Sequence, residues 1–264
     1  MPFVKSAGAR VHFTDTGGEG PAVVLSHGFF LDQEMFARQA QLLAPDYRVI
    51  SIDARGHGLT EDDGIPFTYW DLAWDVWTVI DELGIVEVVA GGMSQGGYTA
   101  LRMALLQPDR VRGLILVGTS AEPYTGAEKA TYRQIMGAWM HLPEFEPMAE
   151  ITAKTMIGGD ADHRQPWITK WLNDDRSRIK FAADCLIERE SVAVAIGGLG
   201  QPALLVRGVH DQASSHEQLA TLARQLGGPA ELHTIDGATH GVNITHATEV
   251  DAILRKFLAD LPLI

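Results

Sequence analysis

The sequence predicts an α/β protein built on a mostly parallel, doubly wound sheet with one helical insertion. Short β-branched runs alternate with stretches of helical period along most of the 264 residues, which is typical of parallel strands joined by covering helices. Between about residues 121 and 200 this alternation is lost, no convincing strand is found, and aromatic and methionine residues are frequent. We therefore expect one core formed by residues 1–120 and 201–264, with residues 121–200 inserted as a helical cap, called the helical insertion below.

Six continuous apolar runs predict strands that are buried on both faces of the sheet. In chain order these runs are residues 22–26, 47–52, 86–90, 114–117, 203–206 and 232–235. Apolar side chains at helical spacing predict covering helices over residues 69–83 and 250–258. Five apolar side chains keep this spacing inside the helical insertion, which predicts a helix whose apolar face packs on the core and can also line a ligand pocket. They are Tyr132, Ile135, Met136, Trp139 and Met140.

The most informative motif lies where the run 86–90 meets the next helix. Gly92-Met93-Ser94-Gln95-Gly96 has the pattern G-x-S-x-G, with a valine-rich strand before it and a helical stretch after it. The two outer glycines leave room for strand and helix to meet at a sharp angle, so the Ser94 hydroxyl is expected to project from the turn. The positive end of the helix dipole would stabilise negative charge that develops there. We therefore expect Ser94 to act as a nucleophile.

A serine hydroxyl is a weak nucleophile at neutral pH, so Ser94 needs a base, and that base needs a carboxylate to orient it. Two later loops offer these groups, because Asp211 follows the run 203–206 and His240 follows the run 232–235. The carboxyl ends of parallel strands meet at one edge of the sheet, where open α/β sheets place their sites. The chain order Ser, Asp, His therefore predicts a triad of Ser94, Asp211 and His240.

Composition disfavours several other classes of function. A formal net charge of -13 and an isoelectric point near 5.1 argue against nucleic acid and an anionic membrane surface as partners. Cys185 is the only cysteine, which excludes an intramolecular disulfide. Because the chain has no apolar signal core and no long apolar run, we expect a cytoplasmic protein. Metal-ligand spacings and phosphate-binding loops are missing from the sequence, so we expect neither a metal nor a cofactor.

From residue 22 to the C-terminal helix, apart from the helical insertion, the sequence resembles the α/β-hydrolase superfamily of serine esterases and lactonases. The resemblance rests on the serine motif, on the two later loops and on residues 27–29, His-Gly-Phe, directly after the run 22–26. It implies that residues 27–29 form the oxyanion loop and that the backbone N–H groups of Phe29 and Gln95 are the oxyanion donors. It also implies that residues 53–58 form a structural turn.

The resemblance leaves two questions open. Some members take the acid from the loop after the strand that precedes the insertion, where this chain has Glu122, although Asp211 is the preferred acid. The superfamily also includes cofactor-free perhydrolases of the haloperoxidase type, carbon-carbon bond hydrolases and ligand receptors without turnover. The fold by itself therefore does not decide the reaction.

The preferred function is hydrolysis of a carboxylic ester or lactone of a small apolar molecule through an acyl-Ser94 intermediate, as the likeness to enol-lactone hydrolases and carboxylesterases implies. Large apolar side chains of the helical insertion are expected to contact the substrate, because aromatic and methionine groups offer large, adaptable apolar contact. These side chains are Trp139, Met140, Trp167 and Trp171.

Overall fold

A computed structural model describes residues 2–262 of the chain, which form one sheet of nine strands flanked by helices. The strands are β1 (Phe3–Ser6), β2 (Ala9–Asp15), β3 (Ala22–Ser26), β4 (Arg48–Ile52), β5 (Glu61–Asp62), β6 (Val88–Met93), β7 (Val111–Val117), β8 (Ala203–Gly208) and β9 (Ala230–Ile235). Their order is β1-β2-β4-β3-β6-β7-β8-β9, and β5 pairs with β2. The strands from β4 to β9 in this order are parallel neighbours, while β1, β2 and β5 pair antiparallel.

Ten α-helices connect the strands of the described chain. They are α1 (Ala37–Leu43), α2 (Tyr69–Glu82), α3 (Gln95–Leu106), α4 (Gly126–His141), α5 (Glu146–Met156), α6 (Ala161–Asn173), α7 (Lys180–Glu188), α8 (His216–Gln225), α9 (Val242–Thr245) and α10 (Ala247–Asp260). Side-chain caps set several starts: Thr68 and Asp71 form a capping box at α2, and Thr125 and Glu128 form another at α4. Among residues 2–262, no helix combines the length and apolar composition needed to cross a lipid bilayer.

The central strands are buried on both faces because helices cover both sides of the sheet. Val23 and Leu25 of β3 belong to one apolar cluster, whereas Ala22 and Val24 belong to the other, as the alternation of side chains along a strand requires. Helices α1 and α10 contribute to the first cluster, and α2, α3 and α8 contribute to the second. The prediction of a mostly parallel, doubly wound α/β fold is confirmed.

The two edges of the sheet differ from the prediction. β9 is the last strand on one side, where Leu232 and His233 are half-buried and Thr234 is exposed. The expectation that the run 232–235 is buried on both faces is therefore wrong, because an edge strand is covered less completely than a central one. The opposite edge is the hairpin of β1 and β2, which the sequence pattern does not predict.

The helical insertion carries α4 to α7 between β7 and β8, and all of its residues are described. Its buried side chains Met136, Trp139 and Trp171 pack in the same cluster as Phe29 and Met93 of the core. Phe29 follows β3, and Met93 ends β6. The helical insertion therefore covers the edge of the sheet at which the parallel strands end.

Candidate active site

Ser94 occupies the tight turn between β6 and α3. Its φ of 54° and ψ of -113° lie in a region that residues other than glycine seldom adopt, and such a conformation costs about 1–3 kcal/mol. The flanking positions have no space for a side chain, since a Cβ at Gly96 would lie 1.8 Å from the Ser26 carbonyl oxygen and one at Gly92 would lie 2.3 Å from the Gly96 carbonyl carbon. The strained elbow that the motif predicts is present, and Ser94 directly precedes the first turn of α3.

Asp211 and His240 form a buried hydrogen-bonded pair. The His240 Nδ1 atom lies 2.8 Å from Asp211 Oδ2, and the two side chains are 1% and 0% exposed. Asp211 Oδ1 accepts hydrogen bonds from the backbone N–H groups of Ala213 and Ser214, both at 2.9 Å. Asp211 therefore holds Nδ1 as the protonated ring nitrogen. His240 Nε2 is buried and has no partner among the described residues, so it is free to accept a proton.

The end of β7 and the loop after it contact both the Ser94 backbone and this pair. The Ser94 backbone N–H donates to the Val117 carbonyl at 2.7 Å, and the Thr119 hydroxyl donates to the Ser94 carbonyl at 2.9 Å. Gly118 lies between these two anchors, and a Cβ there would be 2.9 Å from His240 Nδ1 and 3.1 Å from Asp211 Oδ2. Residues 117–119 thus hold the Ser94 backbone and pack against His240 and Asp211.

Glu122, the alternative acid, has other partners. Its carboxylate accepts hydrogen bonds from the Ser191 hydroxyl at 2.8 Å and from the Gln225 side-chain amide at 2.9 Å, and the residue is exposed. His240 bonds to Asp211 instead. The geometry favours Asp211 over Glu122 as the partner of the base.

The backbone N–H groups of Phe29 and Gln95 have no hydrogen-bond acceptor among the described residues. Phe29 follows the His-Gly pair after β3, and Gln95 is the first residue of α3. Neither amide donates a hydrogen bond to another described residue. At the start of a helix, an amide has no partner within that helix, and the helix dipole favours negative charge beside it. A substrate oxygen that becomes negative near Ser94 could therefore accept hydrogen bonds from both N–H groups.

Phe30, next to this loop, adopts an unusual backbone conformation. The Leu31 N–H donates to the Gly28 carbonyl at 3.1 Å, which closes a four-residue turn. Phe30 is the third residue of the turn and has a φ of 68°, a position that usually requires glycine. Its ring stacks on Trp139 at a centroid distance of 3.9 Å, and its carbonyl accepts a hydrogen bond from Trp171 Nε1 at 2.6 Å. The helical insertion therefore contacts the loop that follows Phe29.

The four side chains expected to contact substrate lie within the helical insertion but differ in their surroundings. Trp139, Trp167 and Trp171 are 2%, 7% and 5% exposed, and they line a cavity of about 360 Å³ together with Phe30. The lining of this cavity includes neither Ser94 nor His240. Met140 is half-buried against the core cluster. All four side chains pack in or against the core cluster, and their contact with substrate stays a prediction.

The turn at residues 53–58 is a hydrogen-bonded support. Asp53 is buried and accepts from the ring Nδ1 of His12 at 2.7 Å and from the backbone N–H groups of Gln33 and Leu59 at 2.8 and 2.9 Å. His57 Nδ1 lies 3.0 Å from the Arg55 carbonyl oxygen. Burial, together with the neighbouring His27 ring, lowers the pKa of His57 to about 3. At neutral pH its imidazole is therefore uncharged.

His57 should make the fold less stable in mild acid. Its pKa rises from about 3 in the folded chain to about 6.5 on unfolding, so below about pH 6.5 the unfolded chain binds one more proton. The free energy of unfolding is then expected to fall by up to about 1.4 kcal/mol per pH unit through this group. In His57→Asn the side chain still has an N–H for the Arg55 carbonyl but cannot titrate. Urea unfolding between neutral pH and about pH 4.5 should show a shallower slope for the variant, and equal slopes would contradict this account.

Sequence reasoning missed Gly118, Thr119 and the backbone conformation of Phe30. Gly118 and Thr119 directly follow the apolar run 114–117, so their place at the carboxyl end of a parallel strand was a usable signal. Phe30 had no such signal, because its positive φ depends on a stacking partner that is more than 100 residues away in the chain.

Known proteins are similar to this chain over most of its length. A family model described as alpha/beta hydrolase fold matches residues 21–247 of this chain. The pimeloyl-[acyl-carrier protein] methyl ester esterase of Xanthomonas campestris pv. campestris is 28% identical over 259 residues, covering 94% of this chain and 99% of that protein.

Solved structures show the same architecture. A thermophilic esterase from Thermogutta terrifontis superposes with a TM-score of 0.88 at 26% identity, over 98% of this chain and 97% of that one. The enol-lactonase from Burkholderia xenovorans LB400 superposes with a TM-score of 0.86 at 24% identity, over 98% of this chain and 100% of that one. Because the enol-lactonase is only 24% identical to this chain, its similarity shows a shared fold and nothing more.

Proposed function

The chain belongs to the alpha/beta hydrolase family, and on that premise we propose that it is a serine hydrolase that cleaves carboxylic esters or lactones of small apolar molecules. The observation that carries the proposal is the buried hydrogen bond from His240 Nδ1 to Asp211. It leaves Nε2 unpartnered on a ring that packs against Gly118, the residue between the two anchors of the Ser94 backbone. Acyl transfer to serine requires a projecting serine hydroxyl and a base whose tautomer is fixed by a carboxylate. The Xanthomonas relative is named for the hydrolysis of a methyl ester, which supports the same class of reaction here.

The first half of the reaction transfers the acyl group to the enzyme. Ser94 Oγ attacks the carbonyl carbon of the substrate while His240 Nε2 takes the hydroxyl proton, and Asp211 stabilises the imidazolium. The carbonyl oxygen becomes an oxyanion, which the N–H groups of Phe29 and Gln95 stabilise. When the tetrahedral intermediate collapses, the bond to the alcohol oxygen breaks and His240 returns the proton to that oxygen. In a lactone the alcohol stays attached to the acyl group.

The second half releases the acid. Water attacks the acyl-Ser94 carbonyl carbon and gives a proton to His240 Nε2, and the new oxyanion uses the same two N–H groups. Collapse then breaks the bond to Ser94 Oγ, and His240 protonates that oxygen. The enzyme is regenerated, and no metal or cofactor takes part in any step.

The surroundings of the site support an apolar substrate. Phe29, Met93 and Met136 belong to the buried apolar cluster that joins the helical insertion to the core. We propose that residues 121–200 act as the cap that selects substrates, with Met140, at the end of the face that carries Met136, among the contacts. The chain is expected to work on soluble small molecules in the cytoplasm, without nucleic acid or membrane as partner.

The proposal is tested by a panel of p-nitrophenyl esters from acetyl to octanoyl, measured beside lactones of several ring sizes. We expect hydrolysis of both classes well above the background of the Ser94→Ala variant, with an optimum at one acyl length. A further arm with acetate and hydrogen peroxide measures peracid formation, which we expect to be a side reaction. Peracid formation that rivals the best ester would make perhydrolysis the main function. Labelling of Ser94 by a phosphonate without turnover of any ester or lactone would indicate a receptor.

A further inference from the structure

The helical insertion makes specific polar and stacking contacts with the segment that follows the oxyanion loop. Three independent interactions converge on residues 30–34, the segment after Phe29. Trp171 Nε1 donates to the Phe30 carbonyl at 2.6 Å, the Phe30 ring stacks on Trp139 at 3.9 Å, and Lys170 Nζ contacts Asp32 and Glu34 at 2.7 and 2.8 Å. Trp171 and Lys170 are neighbours on α6, so one helix makes two of the three contacts.

Two of these contacts are made to Phe30, whose backbone conformation is unfavourable for a residue with a side chain. Phe30 has a φ of 68° at the third position of the turn closed by the Leu31 N–H and the Gly28 carbonyl. A residue with a Cβ stays in this conformation only when its surroundings enforce it. The hydrogen bond from Trp171 holds the plane of the peptide after Phe30, and the stacking on Trp139 holds its ring. The direction of the Phe29 N–H depends on the same short turn.

We infer that Trp171, with Trp139, is a positioning residue for the oxyanion hole: the helical insertion holds the turn at Phe30 and thereby aims the Phe29 N–H at the reacting oxygen. This inference rests on the proposed serine hydrolase function. It assigns to the two tryptophans a role other than substrate contact. A positioning role affects the transition state more than the bound substrate, because the oxyanion exists only after attack on the carbonyl.

The test variant is Trp171→Phe, which keeps an aromatic ring beside Phe30 and removes the indole N–H. We expect kcat to fall about tenfold to a hundredfold, less than the loss of a whole oxyanion donor, with KM within about twofold of wild type. An alkyl boronic acid, which forms a tetrahedral adduct with serine, should bind more weakly by a similar factor. Hydrogen-deuterium exchange of the peptide that covers residues 28–34 should become faster.

The matched control is Trp77→Phe. Trp77 is fully buried, and its Nε1 donates to the Met103 carbonyl at 3.2 Å, so this variant loses the same kind of bond away from the site. We expect it to melt at a lower temperature, with kcat and exchange of residues 28–34 unchanged. The inference is overturned if Trp171→Phe matches Trp77→Phe in kcat, boronic acid affinity and loop exchange. If the wild-type chain cleaves no ester or lactone, the proposed function fails, and the exchange of residues 28–34 alone then decides whether Trp171 holds the turn.

Discussion

Replacing Ser94 with alanine is expected to lower kcat about 10⁴-fold to 10⁶-fold, while the fold is kept. The variant loses the only oxygen that can form the acyl intermediate, and the oxyanion donors and the substrate contacts give the residual rate. The fold is kept because the Ser94 backbone holds its place through the Val117 carbonyl and the Thr119 hydroxyl, which do not involve the serine side chain. Steady-state rates with the best ester of the panel measure the loss, and a circular dichroism melt checks the fold.

The matched control for this prediction is Ser177→Ala. Ser177 is exposed in the helical insertion and its hydroxyl donates to Asp175 at 2.7 Å, so its loss removes a serine oxygen from outside the elbow. We expect its rates to equal those of wild type. Residual activity of Ser94→Ala above a few per cent of wild type, in protein free of contaminating esterase, would remove Ser94 from the nucleophile role.

Replacing Asp211 with asparagine should lower kcat by about 10⁴-fold. The carboxylate accepts the Nδ1 proton of His240 at 2.8 Å, whereas an amide can turn its NH₂ group toward the ring. The other tautomer, with the proton on Nε2, then becomes favoured, and the ring can no longer accept the proton of Ser94. The imidazolium that forms during attack also loses its buried counter-charge.

Glu122→Gln provides the comparison for Asp211→Asn, because it makes the same chemical change at the alternative acid. The Glu122 carboxylate bonds to Ser191 and Gln225, so we expect rates close to those of wild type. Both variants are measured with the same ester under saturating conditions. A crippled Glu122→Gln variant beside a nearly normal Asp211→Asn variant would show that the acid has been misassigned.

Much of the candidate site could be read from short segments of the sequence. Gly92 and Gly96 predict the elbow because the close approach of strand and helix excludes any side chain there, and this requirement is local. Asp211 and His240 could be placed at the same sheet edge because parallel strands end together. The sequence already preferred Asp211 over Glu122, and the structure adds the hydrogen bond from His240 to Asp211 that favours the same residue.

The residues of the helical insertion show where the sequence pattern stops being informative. The apolar helical face on α4 predicts that Ile135, Met136 and Trp139 are buried. Met136 and Trp139 are buried, whereas Ile135 is exposed, so the prediction is wrong at that position. The same face fits packing and substrate contact equally well, because both bury apolar area. Only the tertiary structure brings the Trp139 ring onto Phe30 and the Trp171 indole onto the Phe30 carbonyl.

By itself, the sequence determined the α/β class, the parallel sheet, the elbow at Ser94 and the two later loops that carry Asp211 and His240. These features follow from local periodicity, from glycines at close approaches and from strand polarity, which act over a few residues. The tertiary structure decided the positive φ of Phe30 and the contact of its turn with the helical insertion, and it showed the hydrogen bond from His240 to Asp211 that the sequence only predicted. Each of these depends on groups that are far apart in the chain and meet only when the core has formed, so no local pattern records them.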